Sequence, residues 1–388
     1  MQFLADFLDQ VKAGNLYRQP VVYQPIGPTH IRQEGRTYLL LASNNYLGLT
    51  HQPAVRQAAV EAIRLFGTGA GGARLTTGTH PLFKELELEL AKFKETEAAL
   101  VFNTGYMANV GVISALAGPD DVIFSDELNH ASIIDGCRLA RARVAVYRHA
   151  DMNHLSELLT STACSGKRLI ITDGVFSMDG DIAPLDQIVT LAESYDAIVI
   201  VDDAHATGVI GAGGKGTADY FGLKNRVQVQ IGTLSKALGA EGGFVAGSRQ
   251  LIDYIINKAR SFIFSTALSP ATIAAALAAL RELTARPELA GMLRENADYV
   301  RTMLRQAGLP VFDGITPIIP VMAGEAKRAV RLTAELKEQG IIITAIKPPT
   351  VPPGTSRLRL TVTAAHDRSE LADAVTKIAT AAKRLTLV

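Results

Sequence analysis

The sequence predicts an α/β protein in which a mostly parallel sheet is flanked by helices and is followed by a smaller α+β domain. From Leu100 onward, short apolar segments alternate with longer segments of helical periodicity, which is the pattern of parallel strands joined by crossover helices. Several apolar segments are continuous runs of valine and isoleucine, as expected for strands buried on both faces. A chain of 388 residues is also too long for one simple core, so more than one domain is expected.

Composition and charge argue against several classes of function. Hydrophobic residues make up 48% and charged residues 20% of the chain, which is ordinary for a globular protein. The net charge of +1 provides no field that would attract nucleic acid or a membrane. No apolar run has the length of a membrane span, and the N-terminus does not resemble a signal peptide. Two cysteines, Cys137 and Cys164, are too few for a disulfide framework, so a cytoplasmic compartment is expected.

Residues 1–50 are expected to form an N-terminal segment of their own. Residues 1 to about 20 are amphipathic at helical spacing and predict a helix that ends before Pro20. Residues 21–41 alternate between apolar and polar types, and TYLLLAS within them predicts a strand.

The large domain is expected over residues 51–275. It begins with two predicted helices, HQPAVRQAAVEAIRLFG, which Gly67 closes, and PLFKELELELAKFKE, and a glycine-rich stretch separates them. The strands predicted after these helices are AALVFNTG, DDVIFSD, ARVAVYRH, RLIITDGVF, AIVIVDDAH and VQVQIGTLSK.

The small C-terminal domain is expected over residues 276–388. The nearly continuous helical pattern of SPATIAAALAALRELTARPELAGMLRENADYVRTMLRQAG leads into it. Two further amphipathic helices accompany the predicted strands PIIPVMAG, GIIITAI and RLRLTVT. This mixture of elements predicts an α+β domain.

The spacing G-x-G-x-x-G occurs twice, starting at Gly67 and at Gly211. A dinucleotide site requires a strand directly before this motif and a helix directly after it. The first occurrence follows a helix, and the second begins well past its strand with no clear helix on it. Neither occurrence therefore predicts a dinucleotide site.

One predicted strand ends in a pair of acidic residues. AIVIVDDAHATG places Asp202 and Asp203 at the carboxyl end of an apolar strand, and His205 follows them. Open parallel sheets bind ligands at this edge. An isolated Asp-Asp pair more commonly caps or solvates a turn, so the pair does not define a site by itself.

A lysine at the end of a later strand changes that interpretation. QIGTLSKALGAEGG places Lys236 among small residues, where a solvated lysine is not expected. A partly desolvated lysine has a lowered pKa and can form a Schiff base with a carbonyl group. Asp202 in the same crevice could face a pyridine nitrogen. This lysine and carboxylate together meet the requirements of pyridoxal 5'-phosphate (PLP).

Three further segments place polar groups near predicted strand ends. FNTGYMANVG predicts a helix that begins at Gly105 and Tyr106, where free backbone N–H groups suit a phosphate. His130 in SDELNHASIIDG could lie flat against a planar ring, and Ser177 in DGVFSMDGD could reach a ring oxygen. Each segment also has an ordinary structural interpretation, namely a strand–helix turn, a structural histidine and a polar turn.

Taken together, seven segments resemble the α-oxoamine synthases, which are PLP enzymes with the aspartate-aminotransferase-like fold (fold type I). The resemblance covers nearly the whole chain, and the order and spacing of the segments are more specific than any one of them. The matching segments are SNNYLGL (43–49), NTGYMAN (103–109), NHAS (129–132), DGVFSMDGD (173–181), VDDAHATG (201–208), TLSKALG (233–239) and FSTALSP (264–270).

The resemblance implies how PLP is bound. Lys236 would hold the cofactor covalently and later act as acid and base, and Asp202 would pair with the ring nitrogen. Thr266 would reach the phosphate of the other subunit, which implies a homodimer with its active site at the interface. The remaining contacts would be His205 and Ser177 on the 3-oxygen of the ring, His130 stacked on the ring, Gly105 and Tyr106 beside it, and Thr233 on the phosphate. The implied catalytic residues are Lys236, His205, Asp202 and His130.

The resemblance also implies a decarboxylative condensation of an amino acid with an acyl thioester. Asn44 and Arg359 would hold the carboxylate of the amino acid, Arg18 and Thr350 would line the acyl side, and His130 would also contact substrate. Segment 344–366 is most similar to family members that use L-alanine and a pimeloyl thioester. No nucleic acid, membrane or metal ion is expected to take part.

Four alternatives remain open at this point. Glycine and acetyl-CoA could be the substrates in place of L-alanine and a pimeloyl thioester, and the acyl group could be carried by CoA or by a carrier protein. The chain could also be a catalytically silent subunit, although Lys236, Asp202 and His205 argue against this. Finally, Arg357 and Arg359 alternate with leucines in RLRLTVT and so share one side of their strand, where both could simply face solvent.

Overall fold

The computed structural model describes residues 1–14 and 16–385. Asn15, inside the predicted N-terminal helix, and residues 386–388, at the end of the predicted C-terminal domain, lie outside the described residues. The strands are β1 (Gln24–Pro25), β2 (His30–Gln33), β3 (Arg36–Leu40), β4 (Ala98–Phe102), β5 (Val122–Asp126), β6 (Arg143–Tyr147), β7 (Arg168–Asp173), β8 (Ala197–Asp202), β9 (Val229–Thr233), β10 (Gly243–Gly247), β11 (Ile318–Gly324), β12 (Ile341–Ile342), β13 (Thr344–Ile346) and β14 (Ser356–Thr361).

The α-helices precede, separate and follow these strands along the chain. They are α1 (Gln2–Ala13), α2 (Pro53–Phe66), α3 (Pro81–Phe93), α4 (Gly105–Leu116), α5 (Ala131–Ala140), α6 (Met152–Ser161), α7 (Leu185–Ser194), α8 (Thr217–Tyr220), α9 (Arg249–Lys258), α10 (Arg260–Ile263), α11 (Pro270–Ala285), α12 (Glu288–Gln306), α13 (Ala326–Glu338) and α14 (Arg368–Arg384). Within the described ranges, no helix combines the length and apolarity needed to cross a membrane.

The predicted N-terminal helix is shorter than expected. Helix α1 ends at Ala13 and is followed by Gly14, so the prediction that it extends to about residue 20 is wrong. None of the residues of α1 is buried. Because most helical stability in proteins comes from packing an apolar face, the exposed face of α1 gives no support for a longer helix here.

The large domain is built on a seven-stranded sheet with the order β4-β10-β9-β8-β7-β5-β6. Strands β5 to β9 run parallel to one another, which confirms the predicted parallel core. Strand β10 is antiparallel to both β4 and β9, and the sequence did not predict it. Its short sequence, GFVAG, begins and ends with glycine, which is a poor strand former.

The carboxyl ends of the parallel strands bring polar residues to one edge of the sheet. Strand β7 ends at Asp173, β8 ends at Asp202 and β9 ends at Thr233. Asp173 and Asp202 are paired in register. Ligands of open α/β sheets bind at this edge, so the fold itself indicates where to search for a site.

The C-terminal part contains the antiparallel sheet β11-β14-β13, which confirms its predicted strands. Strand β12 is different, because it pairs in parallel with β3 of the N-terminal segment. The N-terminal segment therefore shares a sheet with the C-terminal part of the chain. The predicted boundaries at residues 50/51 and 275/276 stay predictions.

Candidate active site

A cavity of about 180 Å³ lies at the carboxyl edge of the parallel strands. Residues from five separate segments of the chain line it, and most of them belong to segments that the sequence singled out. The lining residues are Thr104, Gly105, Tyr106, Asn109, His130, Ser132, Asp173, Ser177, Asp202, Ala204, His205, Thr233, Ser235 and Lys236.

Lys236 follows strand β9 and lines the cavity. Burial lowers the pKa of its ammonium group, and Arg359 acts in the same direction, while Asp202 and Asp173 oppose the shift. A lysine of this kind more readily supplies the neutral amine that attacks a carbonyl carbon.

The carboxylate of Asp202 is held by two hydrogen bonds. Nδ2 of Asn109 donates to Oδ2 over 2.6 Å, and the backbone N–H of Ala204 donates to Oδ1 over 2.8 Å. Asp202 is 4% exposed. Because hydrogen bonds to a carboxylate favour its charged form, this arrangement suits an anion that faces the cavity.

The second acid of the pair has a different function. Asp203 forms a completely buried ion pair with Lys94 over 2.6 Å, and its other oxygen accepts a hydrogen bond of 2.6 Å from Oγ1 of Thr217. Asp203 does not line the cavity among the described residues. Asp202 is therefore the acid of this pair that can contact a ligand in the cavity.

Asp173 lines the cavity and was not predicted. Burial raises the pKa of its carboxyl group well above the ordinary value, and the neighbouring Asp202 adds to the shift. The backbone N–H of His130 donates to Asp173 over 2.8 Å. The signal was present in the sequence, because RLIITD ends an apolar strand in an aspartate in the same way as AIVIVD.

His205 is buried and neutral. Its Nδ1 lies 2.7 Å from the hydroxyl of Tyr46. Burial lowers the pKa of the imidazole well below its ordinary value, and Lys236, Arg359 and His130 add to the shift. Tyr46 belongs to the matching segment SNNYLGL, but its contact with His205 was not predicted.

His130 is the N-terminal cap of helix α5. Its Nδ1 accepts a hydrogen bond from the backbone N–H of Ser132 over 3.2 Å and lies 2.7 Å from the Ser132 hydroxyl. Burial lowers the pKa of the ring. The ring lines the cavity, so the residue combines a capping function with a surface that a planar ligand could contact.

Helix α4 begins at the cavity, as the sequence predicted. Oγ1 of Thr104 caps it by accepting a hydrogen bond of 3.0 Å from the N–H of Met107. A Cβ atom on Gly105 would lie 3.4 Å from Cβ of Thr233, so the absence of a side chain lets the helix start lie against β9. The unpaired N–H groups of a first helical turn bind anions.

Arg359 contacts Ser177, which lines the cavity. The guanidinium group donates from Nε to the backbone oxygen of Ser177 and from both terminal nitrogens to Oδ1 of Asn44 over 3.4 and 3.3 Å. Arg357 pairs with Asp179. Both arginines are buried, so the interpretation that they face solvent is wrong.

Five predicted residues are absent from the lining of this cavity in the described chain, namely Asn44, Arg359, Arg18, Thr266 and Thr350. Arg18, Thr266 and Thr350 are all exposed. The backbone oxygen of Thr266 accepts a hydrogen bond of 2.7 Å from Asn103. Exposure is compatible with contacts to a second subunit or to a large substrate, and the roles of these residues stay predictions.

The chemistry of the cavity fits PLP. A desolvated amine can bind its aldehyde, a hydrogen-bonded carboxylate can face its ring nitrogen, and a helix start can bind its phosphate. These groups come from Lys236, Asp202 and the first turn of α4 at the carboxyl edge of a mostly parallel sheet. The fold and the cavity together define a PLP-dependent enzyme of fold type I.

Comparison with known proteins gives the family. The aminotransferase class I and II family model matches residues 36–378. An 8-amino-7-oxononanoate synthase from Lysinibacillus sphaericus is 49% identical over 381 residues, 98% of each chain. A solved serine palmitoyltransferase from S. paucimobilis with bound PLP has a TM-score of 0.94 and 31% identity, over 99% of this chain and 98% of that one. A solved 8-amino-7-oxononanoate synthase from Francisella tularensis has a TM-score of 0.77 and 29% identity, over 89% of this chain and 98% of that one. The chain belongs to the class I and II aminotransferases and, within them, to the PLP-dependent α-oxoamine synthases.

Proposed function

We propose that the chain condenses L-alanine with a pimeloyl thioester, releasing CO₂ and the thiol and forming 8-amino-7-oxononanoate for biotin biosynthesis. The observation that carries this proposal is the 49% identity to the Lysinibacillus sphaericus enzyme of that name, which extends over 98% of both chains. The cavity supports it, because an amine, a carboxylate and a nearby arginine are the groups that this reaction needs.

PLP would be held by groups that come from different strands. Lys236 would bind the aldehyde covalently, and Asp202 would hold a proton on the ring nitrogen. The other contacts would be His205 and Ser177 with the 3-oxygen, His130 stacked on the ring, Gly105 and Tyr106 beside it, and Thr233 with the phosphate. When bound, PLP accepts the electron pair that remains when a bond to the α-carbon of an amino acid breaks.

Each polar residue has a task that its surroundings support. Lys236, with its lowered pKa, takes the proton from the α-carbon of L-alanine at Nζ and later returns one. Arg359 binds the carboxylate of L-alanine through a planar pair of donors, and Asn44 fixes the guanidinium group. Binding the carboxylate in this way orients the Cα–H bond for proton transfer.

A homodimer would complete the site. Thr266 would contact the PLP phosphate of the partner subunit, while Arg18 and Thr350 would line the path of the acyl chain. The exposure of all three side chains in the described chain supports contacts with groups from outside it.

Product identification tests the proposal. Purified protein with PLP is incubated with L-alanine and either pimeloyl-CoA or the pimeloyl carrier protein, and the products are analysed by mass spectrometry. Glycine with acetyl-CoA is the competing pair, and Lys236→Ala is the inactive control. Formation of 8-amino-7-oxononanoate is expected, whereas preferential formation of 2-amino-3-oxobutyrate would contradict the proposed substrates. No product with either pair would favour a silent subunit.

A further inference from the structure

The hydroxyl of Tyr46 lies between two parts of the active site. It is 2.7 Å from Nδ1 of His205 and 3.3 Å from Oδ1 of Asn44, and the side chain is completely buried. The same Asn44 oxygen accepts the hydrogen bonds from Arg359. Tyr46 therefore connects His205, which lines the cavity, with Arg359 through Asn44.

The contact distances favour the hydrogen bond between Tyr46 and His205 over the one from Tyr46 to Asn44. A phenol carries one hydrogen, and the contact with His205 is 0.6 Å shorter (3.3 − 2.7) than the contact with Asn44. The longer contact exceeds the usual O–H···O range of about 2.5–3.0 Å, so the hydrogen of Tyr46 is better placed towards His205. Burial raises the pKa of Tyr46, although Arg359 opposes the shift, so the hydroxyl retains its hydrogen.

The imidazole of His205 can accept this hydrogen bond. Burial lowers the pKa of the ring well below its ordinary value, and a neutral imidazole has one protonated nitrogen and one that accepts. If Nδ1 accepts from Tyr46, the hydrogen of the ring must be on Nε2. Nε2 is the ring nitrogen that remains for the cavity.

We propose that Tyr46 is a positioning residue that holds His205 in the tautomer with its hydrogen on Nε2. This rests on the proposed function, in which His205 contacts the 3-oxygen of PLP. An Nε2–H group can donate to that oxygen, whereas the other tautomer would present a lone pair to it. Tyr46 is not among the residues that line the cavity, so it acts through His205.

The test compares the PLP-loaded wild type with Tyr46→Phe, which removes only the hydroxyl group. Tyr147→Phe is the matched control, because Tyr147 is also completely buried but lies outside this network. The proteins are labelled with nitrogen-15 at histidine, and His205→Gln identifies the signals of His205. Chemical shifts of the two ring nitrogens then report which one carries the hydrogen.

The wild type and Tyr147→Phe should both show a hydrogen on Nε2 and a bare Nδ1. Tyr46→Phe should lose this single tautomer. Its kcat should fall about tenfold, the effect of one lost neutral hydrogen bond of about 1.4 kcal/mol, with a smaller change in the KM for L-alanine. Thermal unfolding and PLP content of the variant are measured in parallel to establish that the fold is retained.

Two results would overturn the proposal: a hydrogen on Nδ1 in the wild type, or an unchanged tautomer in Tyr46→Phe. The wild-type spectrum decides the first of these even if the variant does not fold. Product formation from L-alanine and pimeloyl-CoA is measured on the same samples. A failure of the proposed function is then seen as missing product in the wild type, independently of the tautomer.

Discussion

Asp173 and Asp202 lie directly opposite each other at the ends of the parallel strands β7 and β8. Nδ2 of Asn109 and the backbone N–H of Ala204 donate to the carboxylate of Asp202. Burial raises the pKa of Asp173 well above its ordinary value, and the neighbouring Asp202 adds to the shift. Two identical side chains at neighbouring strand ends thus differ in their surroundings, and the raised pKa of Asp173 favours its protonated form.

This difference predicts opposite outcomes for two matched substitutions. Asp202→Asn removes the anion that would keep the PLP ring nitrogen protonated, so kcat should fall about 100-fold or more while the cofactor remains bound. Asp173→Asn places a neutral amide of similar shape where the raised pKa favours a protonated carboxyl group, so this variant should retain most of the activity. Steady-state kinetics and PLP content check both variants. Equal damage from the two substitutions would contradict the assignment of charge.

Lys236→Ala should abolish the covalent attachment of PLP, because the amine that would bind the aldehyde is missing. Borohydride reduction of the wild type followed by peptide mapping should place the label on Lys236. Lys92→Ala is the control, because Lys92 is exposed. Lys94 is not suitable for this purpose, since it forms a buried ion pair. A label on any other lysine would refute the assignment.

Arg359→Lys should weaken the binding of L-alanine, because an ammonium group cannot reproduce the planar pair of donors. Loss of such a charge-assisted contact costs about 1.5–3 kcal/mol, or roughly a 10- to 100-fold weaker affinity. Titration of L-alanine while following PLP absorbance measures the effect. Arg357→Lys is the control, because Arg357 pairs with Asp179. If only Arg357→Lys weakened the binding of L-alanine, the carboxylate site would have to be assigned to Arg357 instead of Arg359.

His149 predicts a loss of stability at alkaline pH. It lies 3.0 Å from Asp126 and 2.8 Å from Asp181. Burial opposes protonation of the ring, but hydrogen bonds to the two carboxylates outweigh it and raise the pKa of His149 from the ordinary 6.5 to about 10. Because the pKa is raised in the folded state, the stabilisation is fully present below pH 6.5 and is lost as the pH rises through about 10.

The measurement is urea unfolding of the wild type and of His149→Gln at several pH values. At pH 7 the substitution should lower the free energy of unfolding by about 2 kcal/mol. This value is smaller than the full pKa shift would give, because solvent screens the partly exposed Asp181. The difference between the two proteins should shrink towards pH 10. A difference that stays constant with pH would mean that the charge of His149 contributes nothing.

Sequence reasoning found the residues whose position follows from the ends of strands. Lys236, Asp202 and His205 come directly after apolar runs, and parallel strands bring such ends to one edge. Strand periodicity likewise predicted β5 to β9. The family resemblance, in addition, named Asn44 and Arg359, whose side chains meet although they lie 315 positions apart.

Apart from Asp173, whose strand-end position was visible in the sequence, the residues that were missed depend on contacts that no local pattern encodes. Tyr46 reaches His205 across 159 positions, and Asn109 reaches Asp202 across 93 positions from inside a helix. The different contacts of Asp202 and Asp203 also depend on Lys94, which pairs with Asp203 although it lies 109 positions away. The end of α1 was misjudged because its amphipathic pattern continues although none of its residues is buried.

The pairing of β3 with β12 has a consequence for biosynthesis. Leu39 and its partner Ile341 are 302 positions apart (341 − 39), so a ribosome that adds about 5–20 residues per second makes the partner roughly 15–60 s later. Until then, the apolar strand TYLLLA can pair with β2 but lacks its second neighbour, β12. The strands of the large sheet are all made within that interval, so they can assemble first. A nascent chain stalled before residue 341 would expose β3 and is a natural target for chaperones.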